Sequence, residues 1–104
     1  MSTKMSAERV KLNMRRRFFD NLSERVLAIE LLGSEELKIA AWNKLAMDIL
    51  QQIPIDDRRV FLLTEKECFE VRTAVLVNAK SYMDHGLEKD ANRIHDFADR
   101  FRPM

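Results

Sequence analysis

Lys11-Leu12-Asn13-Met14-Arg15-Arg16-Arg17 is the densest run of potential chemistry in this chain. Residues 1–17 carry six Lys or Arg against the single acid Glu8, although the whole chain has a net charge of only +1. A basic segment of this kind can neutralise several phosphates of a nucleic acid, with a marked salt dependence. It can equally pair with an acidic protein surface, or simply remain solvated. Three adjacent Arg point in three directions around a helix, so they form no single edge for reading a groove. Lys11, Arg15, Arg16 and Arg17 are therefore the candidate partner-binding or nucleic-acid-binding residues. Phe18 and Phe19 adjoin them, but their spacing assigns them to a core stripe rather than to stacking on bases.

The remaining reactive side chains fall short of a catalytic set. Cys68 is the only cysteine, so no internal disulfide forms and a reducing compartment fits. It falls in the first turn of a helix, where the dipole could lower its pKa, but no His or Asn at a familiar offset supports a nucleophile. An ordinary half-buried thiol is expected there. His85 at a helix C-terminus has a sufficient structural role. His95, beside Asp96 and one turn from Asp99, lacks the further ligands a metal needs. The acidic pairs Glu35-Glu36 and Asp56-Asp57 sit at a helix start and in a connector, where acids are expected anyway. There is no glycine-rich phosphate loop. No enzyme, metal or cofactor is expected.

The elements that must position these residues are marked by local signals. Ser34 and Thr64 are helix N-caps, and Glu67 completes a capping box with Thr64. Gly86 ends a helix in the left-handed conformation. The first helix is expected to start after Ser6 and run to about Leu32, with Gly33 as its stop, on the stripe Phe18, Leu22, Val26, Ile29. Projected backwards, that stripe meets Arg15 and Lys11, which cannot be buried unpaired. Residues 1–15 are accordingly expected to leave the bundle as a projecting or loosely ordered basic arm.

The second helix runs from about Glu35 to Gln52 with Ile39, Trp42, Leu45, Ala46, Ile49 and Ile53 on one face, and Pro54 closes it. Val60-Phe61-Leu62-Leu63 could be a short strand or a helical turn. With no partner strand evident, the turn is favoured. The third helix spans about Glu65 to His85, with Phe69, Val75, Leu76, Ala79, Tyr82 and Met83 inward. The fourth begins near Glu88, carries Leu87, Ala91, Ile94, Phe97, Ala98 and Phe101 at helical spacing on its inward face, and is stopped by Pro103. The short link at Gly86 makes the last two helices an antiparallel hairpin.

At Val75, Asn78, Ala79, Tyr82, Ala91, His95 and Pro103, this hairpin resembles a single tetratricopeptide-type repeat. Tyr82, Ala91 and Pro103 match that family's pattern and Ala79 is suitably small, whereas Val75, Asn78 and His95 depart from it. The resemblance covers the C-terminal hairpin only. It implies an adaptor that holds a partner peptide or helix.

With 46% hydrophobic and 34% charged residues, the 104-residue chain is expected to form one folded domain. Only two Gly and two Pro leave little room for the turns of an all-β fold. The fold expected is all-α, a small bundle of four main helices with a C-terminal antiparallel hairpin. No stretch is apolar enough to span a membrane, and no continuous apolar region follows Lys4, so a cytoplasmic protein without a secretory signal is expected. The function expected is a small non-enzymatic protein–protein interaction or regulatory protein, acting as a homodimer on a larger partner. Its six Met and six Phe would help adaptable apolar contacts. The alternative is a nucleic-acid-binding regulator using the basic N-terminal segment.

Overall fold

The computed structural model describes the backbone of residues 9–11 and all of residues 21–104. In chain order the elements are β1 (Arg9–Lys11), α1 (Leu22–Glu30), α2 (Glu35–Gln52), β2 (Val60–Leu63), α3 (Glu65–Asp84), α4 (Glu88–Ala98) and β3 (Phe101–Pro103). The described residues are thus mostly helical, as the periodicity requires, but they are not all helix. Three short strands form a parallel sheet in the order β1-β2-β3. Parallel neighbours need a long crossover between them. Among the described residues, α1 and α2 lie in the first crossover and α3 and α4 in the second.

The sheet corrects three expectations. Val60–Leu63 is the central strand rather than a turn of helix, and it finds partners about 50 residues away on one side and 40 on the other. Arg9–Lys11 is a strand at one side of the sheet, not the opening turns of a helix, and the first helix among the described residues begins at Leu22. The fourth helix stops at Ala98, before Pro103, because the chain turns at Asp99-Arg100 and pairs Phe101–Pro103 with β2. The backbone N–H of Met104 also donates to the Leu63 carbonyl, at 2.8 Å.

Helix boundaries follow local chemistry closely. Ser34 Oγ accepts from the Leu37 N–H at the start of α2. Thr64 Oγ1 accepts from the Glu67 N–H while Glu67 Oε1 accepts from the Thr64 N–H, a complete capping box. At the end of α3, Leu87 N–H donates to Tyr82 O and Gly86 N–H to Met83 O, with Gly86 at φ +78°; this is the left-handed termination glycine allows. Gly33 does not play that part. It lies three residues beyond the end of α1 and its backbone is not left-handed.

The core joins both halves of the chain. Leu22, Val26 and Ile29 of α1, Leu45, Ala46 and Ile49 of α2, and Val71, Ala74 and Val75 of α3 are buried together with Phe61, Phe97 and Phe101. Trp42 packs against this cluster while remaining half-buried. Polar links cross the helix seams. Arg25 reaches Asp48 at 2.7 Å between α1 and α2, and Asn43 joins Asn78 and Ser81 at 3.0 Å each between α2 and α3. Arg72 Nη1 donates to the Ala98 carbonyl at 3.2 Å, tying α3 to the end of α4.

Candidate partner-binding site

Of the basic segment's candidate residues, the described part of the structure includes only the backbone of Lys11. Lys11 stands in β1 opposite Leu62, and Leu62 in turn stands opposite Arg102 in β3. Arg15, Arg16 and Arg17 lie outside the described residues.

A groove between α1 and α3 has a clearer design. It has a volume of about 420 Å³ and is lined on the α1 side by Val26, Leu27 and acidic Glu24 and Glu30, and on the α3 side by Lys66, Phe69 and Glu70. Burial of Leu22, Val26 and Ile29 on one side of α1 turns Leu27 outward, where it is 57% exposed. One turn further, Leu31 is exposed as well.

Phe69 is the largest departure from the expected core. It is 71% exposed rather than inward. The buried side of α3 is set by Cys68, Val71, Ala74, Val75 and Asn78, and a helix turns by about 100° per residue, so position 69 falls to the flank. A signal for this was present. The positions three, four and eleven residues after Phe69 hold Arg72, Thr73 and Lys80, a polar flank that a large aromatic does not share with a core. Met83 and Leu87, also expected to face inward, are exposed too.

Beside Phe69, Glu70 is only 5% exposed, yet no Lys or Arg among the described residues lies within ion-pair distance of it. Its carboxylate accepts from Ser23 Oγ of α1 over long contacts of 3.3 and 3.5 Å. Burial pushes its pKa above the ordinary carboxylate value. The nearby Lys66 charge and the Ser23 hydroxyl pull it back, while Glu67 and Glu30 add to the rise. Among the described residues the groove therefore combines two large apolar side chains open to water with an acidic lining and a nearly buried carboxylate that has no cation within ion-pair distance.

Other reactive groups are structural. Cys68 is buried, more deeply than expected, with Sγ 3.4 Å from the Phe101 carbonyl oxygen. Burial raises its thiol pKa, and the charges of Arg72 and Arg102 only partly oppose this. The helix-start position does not make it a thiolate. His85 Nδ1 lies 2.7 Å from the Ser81 carbonyl, a contact in which the ring nitrogen must donate. Among the described residues no group of three or more His, Cys, Asp or Glu is placed to hold a metal ion, and no helix is long and apolar enough to cross a membrane.

No protein-family model matches this sequence, and no curated protein or solved structure matches it.

Proposed function

We propose that this chain is a small non-enzymatic, cytoplasmic interaction protein that binds and modulates a larger partner, with the α1–α3 groove as its docking site. The observation that carries the reading is the exposure of Phe69 and Leu27 beside the carboxylate of Glu70, which has no ion-pair partner among the described residues. Leaving a Phe or Leu side chain in water forgoes roughly 1.5–3 kcal/mol of burial, which a docked apolar face would recover. Among the described lining residues, Glu24, Glu30 and Glu70 against Lys66 give the groove a negative balance. The occupant it fits is an amphipathic helix whose apolar stripe is flanked by Lys or Arg.

The homodimer belongs to the same proposal. It draws on the outer side of α3 and α4, taken as an antiparallel hairpin of tetratricopeptide type, where Leu76 and Met83 border a second apolar recess. Nucleic-acid binding is the second reading. It rests on the basic segment and on the register that puts Lys11 and Arg102 at matching positions either side of Leu62.

The test is fluorescence anisotropy with a labelled amphipathic Leu/Lys helical peptide, using the intact chain. Saturable binding lost in both Phe69→Ser and Glu70→Gln supports the groove. Equal binding by both variants removes it. A parallel mobility-shift assay with Arg15, Arg16 and Arg17 changed together to Ala separates the second reading, because only nucleic-acid binding should vanish there. Sedimentation equilibrium showing monomer at every concentration would eliminate the homodimer.

A further inference from the structure

A second recess lies on the connector between α2 and β2, away from the α1–α3 groove. It has a volume of about 280 Å³, and its polar walls are Asp56 and Arg58 of the connector, Arg93 and Asp96 of α4, and Arg100 at the turn into β3. Ile55 and Phe97 complete the lining with apolar wall. Three guanidinium groups thus share one small space with two carboxylates.

The arginines are not consumed by those acids. Among the described residues neither Arg58 nor Arg100 has a carboxylate within 4.0 Å, and Arg93 has only a loose contact with Asp90 at 3.9 Å. Nε of Arg100 is buried and has no acceptor among the described residues, so what this side chain can offer the recess is its terminal Nη groups. Its backbone is held firmly, since the Arg100 carbonyl accepts from the Phe61 N–H at 2.7 Å. The neighbouring Asp57 is already engaged elsewhere. It receives the Arg59 backbone N–H and Nε at 3.0 Å each and Arg59 Nη2 at 2.7 Å. That pairing leaves Asp56 and Arg58, the alternate residues of the connector, to line the recess.

We propose that this recess binds the phosphate group of a small phosphate monoester, with Arg58, Arg93 and Arg100 donating to its oxygens and Asp56 and Asp96 accepting from hydroxyls on the attached carbon skeleton. Guanidinium forks suit tetrahedral oxyanions, because they present several N–H donors in one plane. The two carboxylates supply only acceptors, so a bare anion would meet repulsion there, whereas a hydroxyl-bearing ester would satisfy both kinds of wall. The site is independent of the α1–α3 groove and stands or falls separately from it.

The experiment is isothermal titration of the intact chain with glycerol 3-phosphate, inorganic phosphate and glycerol, at an ionic strength held near about 0.15 M. Saturable one-site binding of glycerol 3-phosphate, tighter than that of inorganic phosphate and absent for glycerol, is the expected result. Arg100→Gln and Arg58→Gln should each weaken it roughly tenfold, the scale of one charge-assisted hydrogen bond, with unchanged far-UV circular dichroism. The second variant lies on an exposed connector, so a folding defect in the first would not decide the matter. Failure of glycerol 3-phosphate to saturate, wild-type binding by both variants, or heat reproduced by added KCl alone would overturn the assignment. Preference for inorganic phosphate over the ester would likewise reject the monoester.

Discussion

Phe61 and Phe101 stand in register on adjacent parallel strands, their ring centroids 5.9 Å apart, although 40 residues and two helices separate them in the chain. Phe97 meets Phe101 edge-on at 5.3 Å, one of the arrangements aromatic pairs favour. Phe101, three residues from the end of the described chain, is therefore a keystone between sheet and helices. Phe101→Ala should destabilise the fold by about 3–5 kcal/mol. Urea unfolding followed by circular dichroism measures this, and a change below about 1 kcal/mol would contradict the packing described.

Phe69 should behave in the opposite way. Because its ring is exposed, Phe69→Ser should change stability by no more than about 0.5 kcal/mol while removing affinity for the basic amphipathic peptide. Thermal melting and anisotropy, run on the same sample, separate the two effects. A large loss of stability would mean that the ring is part of the core after all.

Glu70 predicts a pH dependence whose sign follows from burial. Its folded pKa is raised above the unfolded value near 4.5, so the unfolded chain ionises first as pH rises. The stability linked to this group is fully present below that unfolded value and is lost as pH rises through the folded pKa. Asp57 acts in the reverse sense, because the Arg59 hydrogen bond depresses its pKa: its contribution is present above its unfolded value and lost as pH falls through the folded one. The difference between wild type and Glu70→Gln isolates the first effect. The variant should gain stability relative to wild type from about pH 4.5 upward and converge with it at lower pH. A constant difference across that range would show that Glu70 does not titrate as proposed.

The capping box at the start of α3 gives a local test. Thr64→Ala removes the acceptor for the Glu67 N–H and should cost about 1 kcal/mol, within the usual range of about 0.5–2. Thr64→Ser should recover most of it in a chemical denaturation series, since the hydroxyl is what the cap uses.

Cys68 should be chemically quiet in the native state. Its sulfur is buried and its pKa raised, so a thiol-specific reagent such as DTNB at neutral pH should react far more slowly with native than with denatured protein. Comparable rates would point to an accessible thiolate.

Much of the helical framework was legible in the residues. Ser34, Thr64 with Glu67, and Gly86 act within a few residues of themselves, so their consequences need no knowledge of the rest of the chain. The stripe Leu22, Val26, Ile29 and the run Ala91, Ile94, Phe97, Ala98 are buried where the helical period places them. The basic segment stood out by composition alone, yet composition could not place Lys11 in a strand. A strand of three residues has too few positions for alternation to be recognised, and its partners lie far along the chain.

What the sequence by itself determined is therefore local: where helices begin and end, which stripe is apolar, and that charge is concentrated near one end. The tertiary structure alone decided that Val60–Leu63 is the middle strand of a parallel sheet, that Phe69 faces water, and that Glu70 is enclosed with no ion-pair partner among the described residues. The physical reason is range. Caps and periodicity depend on neighbours within a turn or two, whereas strand pairing and the exposure of a flank depend on which distant elements dock beside it.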